Sequence, residues 1–380
     1  MSRGRLLVAG LLVALVVAPY FVSEFWLQVG GLAMAAAIAA MGLTMLVGVA
    51  GQISLAHAVF VGIGAYGYVI LASPSGENVW GLGLPPVVAA VGAVLAAGVG
   101  GLLLSPLSSR VTGLYLAVVT IGLVFIWVHF LNEVEQFSGG YIGRAVPEFD
   151  IFGLNFGDSE PWHILGVPFG AAEKLWLVGI VLVVVTFIAA RRIVQARPGL
   201  ALSMVRESEV AAASMGVNVG RYKAGAFFVA SVYAGIAGVF LAVTIQFITP
   251  QAFGFTLSTD YLVIIIIGGL GSLRGAIAGA VFVTALPRLL GQYAGNIPFL
   301  VPVGEGGVDA NVMSVFVYCG LLILVIMFAR GGLDQVLGWL AGPARRARKV
   351  PESKQDIATE PNRDSNRDPV PELNQEKETV

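Results

Sequence analysis

The sequence predicts an all-α, polytopic integral membrane protein of about ten transmembrane helices, with both termini in the cytoplasm. Three observations carry this reading. Hydrophobic residues make up 57% of the chain and charged residues 12%, with a mean hydropathy of +0.85. Apolar segments of about twenty residues, the length that crosses a bilayer, recur along the chain. The cations are also segregated by loop, so the net charge of −1 says little by itself.

Taken in order, Arg3 and Arg5 precede a first span over 6–22, since Ala18-Pro19-Tyr20 is a poor signal-cleavage site. The second span covers 27–49. Gly51-Gln52-Ile53-Ser54-Leu55-Ala56-His57 is a polar break leading into the apolar run 58–71. Spans follow over 85–104 and 112–131, and 132–173 is a long polar loop. The chain re-enters the membrane over 174–190, leaves it for a polar island over 191–223, and crosses again over 224–248. The shorter apolar runs 260–267 and 277–290 flank Gly268-Gly269-Leu270-Gly271-Ser272-Leu273-Arg274-Gly275. That pair reads either as two spans or as one bent, re-entrant element. The last span is 312–329.

The charges test this layout. With the N-terminus inside, inner segments carry Arg110, Arg191, Arg192, Arg197, Arg206, Arg221, Lys223, Arg274 and Arg330. Outer segments carry only Arg144 and Lys174, with Arg288 near a boundary. That asymmetry is the positive-inside pattern. Residues 1–335 therefore form a transmembrane domain, with 132–173 outside the cytoplasm. Residues 336–380 form a basic and then disordered tail, because it has almost no large apolar side chains to bury.

Two stretches stand out within this frame. Arg206–Lys223, RESEVAAASMGVNVGRYK, has too much charge for hydrocarbon and reads as a short surface helix ended by Gly216. Its flat alanine face suits either a docking surface or an ordinary loop helix. The break at Gly51, Gln52, Ser54 and His57 gathers free backbone and polar side chains at a span boundary, as in a broken transport helix or an interfacial turn.

No catalytic constellation and no metal site is visible. His57, His129 and His163 lie on separate segments, and Cys319 is the single cysteine. Gly-Lys does not occur, so the chain has no phosphate-binding loop of its own. Asp260 and Glu24 both fall at span edges and read as interface residues.

Several motifs then resemble one family. They are MGLTMLVGVAGQISLAHAVFVGIGAYGYVIL (41–71), TGLYLAVVTIGL (112–123), SGGYIG (138–143), RESEVAAASMGVNVGRYK, GGLGSLRGAIAGA (268–280) and MFARGGL (327–333). In this order they resemble the permease subunits of branched-chain amino acid ABC importers, specifically the longer of the two paired permeases. SGGYIG departs from the usual outer loop, with Ser for Thr and Tyr-Ile at more polar positions. The resemblance implies an ABC-importer permease fold in a bacterial inner membrane. It also implies a second permease, two cytoplasmic ATPase subunits that bind the ATP, and an extracytoplasmic substrate-binding protein. The chain itself would need no cofactor and would be no enzyme. Arg206, Glu207, Glu209, Ala211, Ala212 and Gly216 would form the coupling helix that enters the ATPase. On the broken-helix reading of the residues themselves, Gly51, Gln52, Ser54 and His57 would lie on the translocation path. The cargo would be branched-chain or related amino acids, with urea or short amides as the alternative. A secondary transporter would instead need coupling carboxylates.

Overall fold

A computed structural model describes residues 10, 13–76, 79–111, 113–151, 154–157, 162–164, 167–293, 310–328, 332, 333 and 335. The chain divides into two units, 1–341 and 342–380, and every described residue lies in the first. Residues 6–9, 11 and 12 of the expected first span and the whole tail from 336 fall outside the described residues.

The long helices are α1 (Glu24–Leu43, continued by a π-helical turn over Thr44–Val49), α2 (His57–Ala72), α3 (Pro86–Arg110), α4 (Leu114–Glu133) and α5 (Ala171–Gln195). After two short helices, α6 (Arg197–Glu207) and α7 (Glu209–Ser214), come α8 (Val219–Ile245), α9 (Phe255–Gly268), α10 (Leu273–Gln292) and α11 (Ala310–Phe328). Among the described residues six helices are long and apolar enough to cross a membrane: α1, α3, α4, α5, α8 and α10. Helices α2 and α9 and the stretch Val312–Leu321 of α11 are shorter apolar elements.

Helices α1 and α8 are buried, whereas α3, α4, α5 and α10 turn much of their apolar surface outward. Small residues allow this arrangement. Ala35, Ala37, Ala39 and Ala40 of α1 are all but inaccessible, and α1 packs against α5, α8 and α10. Helix α8 crosses α2 on glycine: a Cβ on Gly64 would meet the Gly235 carbonyl oxygen at 2.5 Å. In lipid, such close packing replaces hydrophobic burial as the source of cohesion between helices.

The loop 132–173 is not structureless. Ser138 starts a turn in which Gly139, Gly140 and Gly143 all have positive φ. The next residues, Arg144–Ala145, form a strand paired antiparallel with Phe247–Ile248 at the end of α8. Two further small hairpins follow, Asp150–Ile151 with Leu154–Asn155 and Trp162–Ile164 with Val167–Phe169. Lys174, expected as an outer-loop cation, is fully buried, and its Nζ donates to the carbonyls of Asn155 (3.2 Å) and Gly157 (2.9 Å).

The segment around 268–275 divides two separate helices. Gly268 and Gly275 face each other so closely that a Cβ on Gly275 would lie 1.9 Å from the Gly268 carbonyl oxygen. Gly269 and Gly271 take positive φ, and Ser272 Oγ accepts the Gly275 N–H at 3.1 Å to cap α10. The glycines of this motif therefore allow α9 and α10 to fold back on one another.

Candidate functional site

The break after α1 folds back onto that helix. Residues 50–56 turn back along α1, because His57 Nε2 donates to the Ala39 carbonyl at 2.9 Å. Ala39 lies ten residues before Val49, which is roughly 15 Å along a helix. Helix α2 therefore starts beside the middle of α1. Neighbouring helices take up the freed backbone donors. Thr120 Oγ1 of α4 accepts the Leu55 N–H at 3.0 Å, and Ser258 Oγ of α9 accepts the Ala58 N–H at 3.2 Å. The His57 ring also meets the edge of Tyr261, with centroids 5.6 Å apart. Gln52, Ser54 and His57 are all buried, and Gly51 is exposed. The Gln52 Oε1 and Thr44 Oγ1 atoms are buried with no hydrogen-bond partner. Irregular backbone at this depth survives only where protein or a lined path satisfies it.

The polar island meets this break directly. Arg206 Nη1 donates to the Gly48 carbonyl at the end of the π-helical turn, which caps a group the helix leaves open. Gly51 has φ +70°, and a Cβ there would lie 2.7 Å from Cγ of Arg206. Gly48 in turn abuts Gly271, and a Cβ on Gly332 would fall 2.5 Å from the Gly269 nitrogen. Four motifs far apart in the sequence thus converge on one spot: Gly48–Gly51, Arg206, Gly269–Gly271 and Gly332.

The island itself is two helices, where the sequence suggests one. The chain is extended at Ser208 (φ −158°, ψ 114°), so Arg206 and Glu207 end α6, while Glu209, Ala211 and Ala212 belong to α7. Ser208 Oγ accepts the Ala211 N–H at 3.2 Å and caps α7. A serine followed by Glu209 and an alanine run is a legible helix start that the continuous helical reading passes over. Gly216, with φ +82°, follows the end of α7. Ala212 is 1% exposed, covered by its own chain, so it does not face outward as its place on a docking face requires. On and just after α7 the outward large apolar side chains are Val210 (82%) and Met215 (73%). Glu209 forms a 2.6 Å ion pair with Lys223 of α8. The island is therefore tied to the two buried helices at two points, α1 through Arg206 and α8 through Glu209.

Beyond the far end of α9 lies a second polar group. Arg144, placed by the glycine turn, is 7% exposed, and its Nη1 donates to the Phe137 carbonyl at 3.2 Å. Burial lowers its pKa from the ordinary guanidinium value, and the nearby Tyr66 hydroxyl opposes that shift. Asp260, expected at a span edge, is the sixth residue of α9 and half-buried, because the helix begins at Phe255. Glu24 is exposed at the start of α1.

Residues 25–326 match the family described as "Branched-chain amino acid transport system / permease component". The chain is 30% identical over 342 residues to the high-affinity branched-chain amino acid transport system permease protein LivM of Salmonella typhimurium. It is 29% identical over the same length to LivM of Escherichia coli. Each comparison covers 87% of this chain and 75% of the relative. No solved structure matches.

Proposed function

The chain belongs to the branched-chain amino acid transport permease family, and from that premise we propose that it is one membrane-spanning permease subunit of an ATP-driven importer for branched-chain or related hydrophobic amino acids. Family members are transporter subunits and not enzymes. In this reading a second permease completes the path, two ATPase subunits dock from the cytoplasm, and an extracytoplasmic binding protein delivers cargo in a bacterial inner membrane.

The observation that carries the reading is the double attachment of the polar island. ATPase closure would push on α7 through Val210 and Met215. The Glu209–Lys223 ion pair would pass that displacement to α8, and the Arg206–Gly48 bond would pass it to the end of α1. Both helices are buried, so a shift of their ends repacks the bundle and does not dissipate at its surface. Alternating access follows when α1 and α8 tilt and the backbone at 50–56 changes partners. The path would run beside Gly51, Gln52, Ser54 and His57.

The test is uptake of radiolabelled L-leucine by vesicles holding the complete complex, with and without ATP. ATP-dependent accumulation is expected. Accumulation driven by an ion gradient without ATP would establish a secondary transporter, and uptake of urea or short amides in place of leucine would move the cargo to that class.

A further inference from the structure

We propose that Arg144, Tyr66 and Trp127 form a receptor for the carboxylate of the transported solute. Three buried donor atoms meet no acceptor there: Arg144 Nη2, the Tyr66 hydroxyl and Trp127 Nε1. They belong to one neighbourhood built around Phe253. The Tyr66 and Phe253 rings meet edge to face, with centroids 5.6 Å apart. One turn earlier on α2, a Cβ on Gly62 would lie 2.6 Å from Trp127 Nε1 and 3.2 Å from Cβ of Phe253. Arg144 adjoins the same neighbourhood, because Phe137, whose carbonyl it bonds, meets the Phe130 ring with centroids 6.1 Å apart, and Phe130 stacks with Trp127 at 6.3 Å.

The chemistry of the set is one-sided. A guanidinium N–H, an indole N–H and a phenolic O–H are all donors, and only the phenol can also accept. A cluster of donors around a cation, with no carboxylate of the described residues paired to that cation, is complementary to an anion with several acceptor oxygens. Leaving such donors buried and unmade is costly, so the arrangement is maintained for something that supplies acceptors. A carboxylate matches the planar guanidinium with two oxygens and leaves lone pairs for the other two donors. The SGGYIG turn sets this up by folding Arg144 back onto the strand at Phe247–Ile248.

The inference rests on the amino-acid reading above, and the experiment separates the two. Complete complexes are reconstituted with wild type, Arg144→Gln, Arg144→Lys and Tyr66→Phe. Leucine uptake and capture of the binding protein are measured for each. Uptake is expected to fall roughly tenfold or more in Arg144→Gln, to recover in part in Arg144→Lys, and to fall several-fold in Tyr66→Phe, with capture intact. Tyr66→Phe keeps the ring and removes a hydroxyl that makes no bond within the protein, so a purely structural role predicts equal or greater thermal stability and full uptake. Wild-type uptake in both Arg144→Gln and Tyr66→Phe would overturn the site alone. Loss of capture would assign the donors to the binding protein's surface and overturn it too. A wild-type complex that carries amides but no leucine would overturn the amino-acid reading and, with it, the carboxylate.

Discussion

Two arginines near opposite ends of α9 are met in opposite ways. Near Gly271, just past its C-terminal end, Arg206 closes on the Gly48 carbonyl, and its aliphatic stem fills the space a side chain at Gly51 would need. Near Phe253, just before its start, Arg144 is more deeply buried, yet one guanidinium nitrogen meets no acceptor. A cation closed on backbone holds two elements together, so it transmits displacement. Arg144 is held by the Phe137 carbonyl through Nη1 alone, so its second guanidinium nitrogen is free to receive a ligand. The same side-chain type thus serves as a joint at one end and a receptor at the other, and the difference lies in which acceptors the fold brings to it.

The largest expected effect comes from blocking the joint. Gly51→Val puts a branched side chain on a residue at φ +70° and against the stem of Arg206. Backbone strain there is about 1–3 kcal/mol, before any displacement of Arg206. We expect the variant to lose nearly all uptake. Gly225→Ala is the control, because that glycine has open space and an ordinary helical φ, and a helical alanine is favoured over glycine. Equal uptake in the two variants would show that the contact at Gly51 does not matter.

A smaller effect is expected from removing the charge and keeping the stem. Arg206→Met leaves Gly48 without its donor. A hydrogen bond to a charged group contributes about 1.5–3 kcal/mol, and the lower end applies to a side chain as exposed as Arg206. Uptake is expected to fall about tenfold while ATP hydrolysis by the complex continues, which raises the ATP consumed per leucine. Loss of hydrolysis in step with uptake would instead place Arg206 in assembly with the ATPase.

These contacts also mark what the sequence could tell. The membrane class and most helices were legible, because apolar runs of spanning length and their charged flanks are local features. The break at Gly51–His57 was legible as polar residues at a span boundary. Its depth was not, since only the bond from His57 to Ala39 shows that α2 starts beside the middle of α1. The inward turn of Ala212 and the closure of Arg206 on Gly48 were equally hidden. Each depends on how a short helix rotates against helices remote in the chain, and periodicity over six residues of α7 is too brief to fix that rotation. The sequence places Arg144 in an outer segment, and charge alone does not reveal that a glycine turn folds it inward.

The smallest expected effect concerns the hinge between α6 and α7. Ser208 is extended and caps α7, so it separates the segment that holds Arg206 from the segment that holds Glu209. Losing a serine cap costs about 1 kcal/mol, which bounds the change in transport at roughly fivefold. Ser208→Ala should therefore lower uptake a few-fold, since α7 frays and the Glu209–Lys223 pair is presented less often. Ser208→Asp should stay close to wild type, because aspartate caps as well as serine and its charge suits a helix N-terminus. Leucine uptake by the two variants, at matched amounts of complex, decides the point. If aspartate and alanine are equally impaired, Ser208 acts through a contact with the ATPase and not through the cap. If both are unaffected, α6 and α7 move as one body, and the two ties to α1 and α8 cannot be loaded separately.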